Sequence, residues 1–489
     1  MRIATAALLL AACAPSKPTP QSAPALPCDL VLVTIDTLRA DHVHAYGHVR
    51  ETTPHLDALA AEGVVFENAF APMATTLPSH LSMLTGLHPH QHGVKSNLGA
   101  IGSPYVPGPD QESLAMFLSR AGYETAAFVS SAPLSTATGI QAGFDLYDEP
   151  QGPERNGAET MARVLAWLDQ RPDPERPYFL WVHLWDVHDP NTPPPGYAER
   201  FAHDGHALQR VQHFELDPDA LTKAFGAGKR ARHFYPDQYD AVKRKGKRAK
   251  AGPVTEATLV DLQNRYDGDV FYADERLGEL LDVLDARRER TAMAVTSDHG
   301  QGLGWRNWLE HGITSLECVR VPLVLRFPHA MGIPPQRITH NVSHVDLMPT
   351  LLARLQPPGW QGFAAQSTGA DALAPRSEPI PVLSVRVARD RKVWNPGLEA
   401  SVTYGRWRLI SREGTELELY DRQSDPLELT NLAEEPAHAA LIAELQARLD
   451  ELLAERPASP TSTAELDAET AARQRGALNS LGYTGDDDE

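Results

Sequence analysis

The chain has 489 residues, of which 42% are hydrophobic and 22% charged, ordinary values for a globular protein and unlike those of a disordered or fibrous chain. Its formal net charge of −19 argues against general nucleic-acid binding, because a phosphate backbone would be repelled. Beyond the N-terminal segment only Cys28 and Cys318 remain, neither with a Cys or His at metal-ligand spacing, so two buried free thiols are expected.

The first thirteen residues, "MRIATAALLLAAC", combine one basic residue with a short apolar run and small residues. The run is too short to span a bilayer and fits a secretion signal over 1–12. Its ending, Leu10-Ala11-Ala12-Cys13, resembles the bacterial lipobox. That resemblance implies an exported lipoprotein held on a membrane by acyl chains on Cys13. Ala14 and Pro15 do not suggest retention at the inner membrane, which favours the outer one. A plain signal peptide is the alternative reading. Residues 13–27, rich in Pro, Ser and Ala, read as an extended tether. No later segment reads as transmembrane.

"DLVLVTID", ending at Asp36, suits a parallel strand buried on both faces. "TTPHLDALAAEG" reads as a helix with Thr53 as cap, Pro54 in the first turn and Gly63 at its end. Further core strands are expected at 125–131, 177–185, 291–300 and 320–327, and helices at 159–170 and 273–288. Alternating strands and helices predict an α/β fold with a central, mostly parallel sheet between helices, in a catalytic domain over 28–355. The segment 223–250 is strongly basic and reads as a solvated insertion, or as an anion-attracting patch near a charged substrate or lipid surface. "VTYGRWRLISR" and "TELELYDRQSD" alternate around Glu413-Gly414 as a hairpin. With the helix at 441–455 they define a small antiparallel C-terminal unit over 376–455. Residues 456–489 read as an acidic tail.

In a parallel sheet the chemistry gathers at the carboxyl ends of the strands. Asp36, Asp186, His188, Asp298 and His299 all fall just past such ends. Asp298-His299 is a good ligand pair for a divalent ion, although a capping Asp beside a surface His would look the same. In "APMATTLPSHLSMLTG", Pro78 fits the first turn of a helix that runs to Thr85 and ends at Gly86. Thr76 then lies at a helix N-terminus, which favours an anion there. Such a Thr is an ordinary cap, or a nucleophile if a metal lowers its hydroxyl pKa.

"TIDTLRADHVHAYG", "TTLPSHLSMLTGLHPHQHG", "WVHLWDVHDP", "VTSDHGQGLG", "EHG" and "ELYDRQSDPLELTNL" together resemble the sulfatase family of the alkaline-phosphatase superfamily, in the expected order over about residues 28–432. The resemblance implies a small C-terminal sheet and metal-assisted ester hydrolysis through a covalent intermediate. It also implies that Asp36, Asp298 and His299 are metal ligands together with Thr76, the nucleophile. His188 and His311 would face the substrate and its leaving group. Asp186, His188 and His311 would form a second metal site if there are two ions.

The departures from the family pattern are specific. Thr76 stands where the usual sulfatase has a Cys or Ser matured to formylglycine. Oxidising a secondary alcohol cannot give an aldehyde, so formylglycine is excluded. His80 replaces a supporting Arg, Thr37 replaces a second Asp, and "AFVSSAPLS" lies where a Lys/His substrate clamp is usual. More imidazole and fewer carboxylates favour zinc or manganese over calcium. A Thr nucleophile tips the chemistry toward phosphorus esters, while the motif set reads sulfatase. The expected activity is hydrolysis of a sulfate or phosphate-type ester of a small molecule, lipid or glycan. A membrane-surface headgroup transferase and a non-catalytic lipoprotein scaffold are the alternatives. His183 reads as structural, and His42, His44, His88, His90 and His92 as loop residues near the pocket mouth.

Overall fold

Strand β1 (Asp29–Ile35) is buried along its whole length, as a run with no polar face demands. Its Leu30 and Leu32 enter one core layer, and Val31, Val33 and Ile35 the other. The computed structural model describes residues 28–97, 104–108, 111–214, 216–226, 232–234, 252–386, 399–412, 416–454 and 466–481. The signal and tether segments, most of the basic insertion and the last eight residues lie outside the described residues.

The other strands of the main sheet are β2 (Val64–Phe70), β3 (Glu124–Phe128), β4 (Leu146–Asp148), β5 (Tyr178–Leu184), β6 (Thr291–Thr296), β7 (Arg320–Val321), β8 (Leu323–Arg326) and β9 (Gln336–Ser343). Their order is β4-β3-β5-β1-β6-β8-β2-β7, with β9 also on β2. The run from β4 to β6 is parallel, β8 is antiparallel to β6 and β2, and β9 is parallel to β2. The main helices are α1 (Pro54–Glu62), α2 (Thr76–Thr85), α3 (Gly157–Gln170), α4 (Glu256–Leu284), α5 (Leu347–Leu355), α6 (Ala439–Ala454) and α7 (Ala468–Ser480). Apolar residues of α2 and α5 pack on one sheet face, those of α1, α3 and α4 on the other.

Three expectations change. Thr53 does not cap α1 with its side chain. The carboxylate of Asp274, on α4, accepts from the first-turn N–H groups of His55 and Leu56 at 2.8 and 2.9 Å. Helix α4 begins at Glu256, well before the expected 273. Its upstream half buries Gln263, Asn264, Arg265, Asp267 and Asp269 beside the apolar stripe of Leu259, Leu262, Tyr266, Val270 and Ala273, and these interleaved polar residues mask the stripe in the sequence. In the segment read as an acidic tail, residues 468–480 form α7.

The C-terminal sheet is antiparallel, in the order β10 (Val382–Arg386), β11 (Glu399–Tyr404), β12 (Trp407–Arg412), β13 (Glu416–Asp421). The expected hairpin is β12–β13, but "VTYGRWRLISR" is two strands rather than one. Gly405, at φ 56°, turns β11 back into β12. The sheet braces the loop that leads into α2: Ser384 Oγ donates to Ala71 O at 2.7 Å and Val385 N–H to Pro72 O at 2.8 Å. Cys28 and Cys318 are free and buried. Among the described residues no helix is long and apolar enough to cross a membrane.

Candidate active site

The pocket is built where β1, β5 and β6 end and α2 begins. Asp36 follows β1, and its backbone N–H continues the ladder to Leu184 O of β5 at 2.9 Å. Asp298 and His299 follow β6, the neighbour of β1 on the other side. Thr76 opens α2, with Pro78 in its first turn and Gly86 closing it at φ 69°. Asn97 Oδ1 accepts from the Leu77 N–H at 2.9 Å, which leaves the Thr76 side chain outside the cap.

Candidate ligand atoms of Asp36, Asp298 and His299 lie within 4.8 Å of one another, and all three residues are fully buried. Asp36 Oδ1, Thr76 Oγ1, Asp298 Oδ2 and His299 Nε2 are buried atoms without a hydrogen-bond partner. Orphaned buried polar atoms are rare, and those of Asp36, Asp298 and His299 at one spot, with the Thr76 hydroxyl beside the Asp36 carboxyl, call for a ligand. Their other atoms are all occupied. Asp298 Oδ1 accepts from the N–H groups of Thr37 at 3.2 Å and His299 at 2.9 Å. His299 Nδ1–H donates to Gly300 O at 3.0 Å, which turns the Nε2 lone pair inward. Two carboxylate oxygens, an imidazole nitrogen and a hydroxyl form a donor set that suits a divalent cation. Burial first, and then the charges of Asp298 and Asp189, push the Asp36 carboxyl well above its ordinary range. Burial likewise raises Asp298, against the opposing pull of His80.

His80 Nδ1 lies 3.8 Å from Asp298 Oδ2, but its hydrogen bonds go elsewhere. Its Nδ1–H donates to Thr76 O at 2.8 Å, and its Nε2 sits 3.0 Å from Thr34 Oγ1. Both nitrogens are used, so His80 positions the start of α2. Thr37, at φ 56°, folds its hydroxyl back to donate to Asp36 O at 2.8 Å and offers no ligand. Arg39 ties this loop to the one after His299, donating to Gln301 O and Gly302 O at 3.0 and 3.1 Å.

His311 lies over His299, with ring centroids 4.4 Å apart, and 5.4 Å from the ring of His188. Its Nδ1–H donates to Ala74 O at 3.0 Å, two residues before Thr76. His188 Nδ1–H donates to Asp189 O at 2.8 Å. In the neutral rings this fixes the proton on Nδ1 and makes Nε2 an acceptor. Burial lowers His188 to about 3 and His311 to about 4, so both are neutral at pH 7.

Asp186 does not join them. Its Oδ1 accepts from Gly157 N–H at 2.8 Å in the first turn of α3, and burial raises its carboxyl to about 6. The expected second site of Asp186, His188 and His311 therefore does not assemble, because a helix N-terminus draws the carboxylate away. Asp189 is there instead, with Oδ1 3.5 Å from His188 Nδ1 and Oδ2 2.5 Å from Arg232 Nη2. Arg232 and His233 belong to the basic segment, yet both are buried at this edge of the site rather than solvated.

His183 carries more than a structural role. Its Nδ1 accepts from Ser130 N–H at 3.3 Å, so its Nε2–H donates to Asp36 Oδ2 at 3.1 Å. The ring thereby aims Oδ1 of the carboxylate at the other ligand atoms. A polar residue in a strand buried on both faces, in register with Thr34, was the signal that could have found it. His42 is not at the pocket mouth: its Nδ1 lies 2.6 Å from Asp267 Oδ1, in a buried hub with His48 and Arg50. That hub also has metal-ligand spacing, but the Arg50 guanidinium 2.6 Å from Asp267 Oδ2 already supplies the countercharge.

The family model described as Sulfatase matches residues 29–356, more than half of the chain and the whole of this site. The chain belongs to the sulfatase family. Sulfatases are metal-dependent ester hydrolases, and Asp36, Asp298 and His299 are a group that could hold a divalent ion. It is 24% identical to an N-acetylglucosamine-6-O-sulfatase of Bacteroides thetaiotaomicron, over 91% of this chain and 89% of that one. Its fold matches the phosphonate monoester hydrolase of Agrobacterium radiobacter with a TM-score of 0.68 at 21% identity, covering 87% of this chain and 95% of that one. A protein solved in complex with its substrate D-glucosamine-2-N,6-O-disulfate gives a TM-score of 0.67 at 21% identity, over 87% and 97%.

Proposed function

We propose that this sulfatase-family protein hydrolyses a sulfate or phosphorus ester with Thr76 as nucleophile, through a covalent Thr76 ester. The observation that carries the reading is the buried cluster of Asp36, Asp298 and His299 with partnerless ligand atoms, and the Thr76 hydroxyl beside the Asp36 carboxyl. Those residues would hold one divalent cation, with zinc or manganese favoured over calcium by the imidazole donor. When bound, the cation supplies the positive charge that lowers the Thr76 hydroxyl pKa and offsets the anionic oxygens of the substrate.

The neutral tautomers of His188 and His311 make a base role come first. One of these rings takes the Thr76 hydroxyl proton on Nε2 as Oγ1 bonds to sulfur or phosphorus. The bond from that centre to the ester oxygen breaks, and the imidazolium returns the proton to the departing oxygen. Water then attacks the same centre and gives its proton to the imidazole, the bond from that centre to Thr76 Oγ1 breaks, and the imidazolium returns the proton to Oγ1. His183 keeps Asp36 oriented throughout, and His80 keeps the start of α2 in place. A sulfated sugar is the substrate class that the sugar-sulfatase relative suggests. The N-terminal sequence supports an exported lipoprotein anchored at Cys13.

Thr76→Ala tests this directly. It should lower turnover by about 10³-fold or more while leaving the melting temperature nearly unchanged, whereas Thr76→Ser should keep activity. Rates and melting should be followed on sulfate monoesters, phosphate monoesters, phosphodiesters and phosphonate esters, with each cation in turn. A Thr76→Ala protein that works at the wild-type rate rules out the nucleophile.

A further inference from the structure

Helix α7 packs back onto the catalytic domain beside the site. Its Leu478 is fully buried, and Leu481 just beyond its end is 6% exposed. Both share one apolar cluster with Ala132 and Trp185. Trp185 in turn stacks on the His188 ring, with centroids 3.7 Å apart and planes at 16°. The outer edge of the indole is pinned as well, since Nε1–H donates to Glu154 Oε2 at 2.7 Å.

A second, polar route joins the same two places. Arg232 Nη1–H donates to Leu481 O at 2.7 Å, and Arg232 Nη2 lies 2.5 Å from Asp189 Oδ2. Asp189 holds the other side of His188, through its backbone carbonyl and Oδ1. Gln474 adds a tie to the 132–135 segment, where the family's usual Lys/His clamp is missing. Its Nε2–H donates to Ala132 O at 3.1 Å, and Ser135 Oγ–H donates to its Oε1 at 2.7 Å.

We propose that α7 is part of the active-site wall and positions His188, through Leu478 and Leu481 on Trp185 and through Arg232 on Asp189. Stacking fixes the plane of the imidazole, and the carbonyl and carboxylate of Asp189 fix its rotation. Leu481 reaches both supports, its side chain in the Trp185 cluster and its carbonyl on Arg232, so the end of α7 couples them. The proposal rests on His188 as a proton-transfer group for its functional meaning, but its geometric claim can be measured separately.

The test uses full-length Leu481→Ala, Arg232→Met and the conservative Arg232→Lys. In protein labelled with ¹⁵N-histidine, the His188 side-chain signals, assigned with His188→Gln, should shift or broaden in Leu481→Ala and Arg232→Met. The signals of His80 and His183 should stay in place, and Arg232→Lys should restore much of the His188 position. On phenyl esters, which need a proton for the leaving group, kcat should fall about tenfold in the two disruptive variants. On 4-nitrophenyl esters the loss should be less than about twofold, and in a His188→Gln background neither variant should lower kcat further. Unmoved His188 signals in folded Leu481→Ala and Arg232→Met overturn the proposal, as does an equal further loss in the His188→Gln background. If His188→Gln turns over at the wild-type rate, the catalytic reading of His188 is wrong. The signal shifts then decide the positioning claim alone.

Discussion

Asp298→Asn should change the sign of its effect on stability when a divalent cation is added. Asp298 Oδ1 accepts two backbone N–H groups, which an amide oxygen accepts equally well. Its Oδ2 is partnerless and lies 3.3 Å from His299 Nε2, whose lone pair faces it because Nδ1–H is committed to Gly300 O. An amide N–H at that point would donate to Nε2. Without cation, the substitution therefore removes a buried carboxylate repelled by Asp36 and satisfies two orphaned atoms. Relieving a buried unsatisfied group is worth about 1–3 kcal/mol, so the variant should be more stable than wild type in chelator by that amount. With cation at about 100 times its Kd, the wild type should gain about 2.7 kcal/mol and the variant little. That gain corresponds to about 4 °C in Tm for a domain of a little over three hundred residues. The assay is thermal unfolding of both proteins at pH 7, in chelator and then across a titration of zinc, manganese and calcium. Wild-type and variant curves that respond equally to every cation would refute the reasoning.

Three further outcomes follow from particular contacts. His183→Phe removes the donor to Asp36 Oδ2, and cation affinity measured by calorimetry should fall about 10–100-fold with the fold retained. Arg408 and Glu428 form a fully buried ion pair at 2.8 Å, so Arg408→Met alone should cost about 3–5 kcal/mol in urea unfolding. Adding Glu428→Gln should recover much of that loss. Burial lowers His42, His88, His92, His188 and His344 to about 3, and His299 and His311 to about 4. Their folded pKa values lie below the unfolded one near 6.5, so the unfolded chain binds more protons as the pH falls. The stability these neutral rings contribute is present above about pH 6.5 and is lost toward pH 4, so the denaturant midpoint should drop between pH 7.5 and pH 5.5. A flat midpoint would show that the rings are not buried and neutral.

The strands and the clustering of the candidate ligand residues were legible from sequence because both depend on local pattern. An apolar run buried on two faces has a recognisable composition, and a parallel sheet sends the residues after its strands to one end. Asp36, Asp298 and His299 could thus be picked out from positions up to 263 residues apart (299 − 36 = 263). Thr76 was legible from Pro78 and Gly86, which mark where α2 starts and stops. The polar half of α4 was not, since its buried face carries the side chains that hold the site loops, such as Tyr266, whose hydroxyl donates to Thr37 O at 2.6 Å. The apolar stripe of Leu259, Leu262, Tyr266 and Val270 is present, but buried polar residues beside it, such as Gln263 and Asp267, blur the contrast between faces that marks an amphipathic helix.

Sequence alone determined the family, the α/β class, and which alcohol, acids and imidazole stand at strand and helix ends. Only the tertiary structure decided what those groups face. It turned Asp186 toward the N-terminus of α3, gave His183 to Asp36, buried Arg232 against Asp189, and brought α7 to Trp185. The physical reason is that spacing along a strand or helix fixes direction within that element. The partner of a buried polar atom is chosen among all neighbouring elements, by whichever leaves the fewest such atoms unsatisfied.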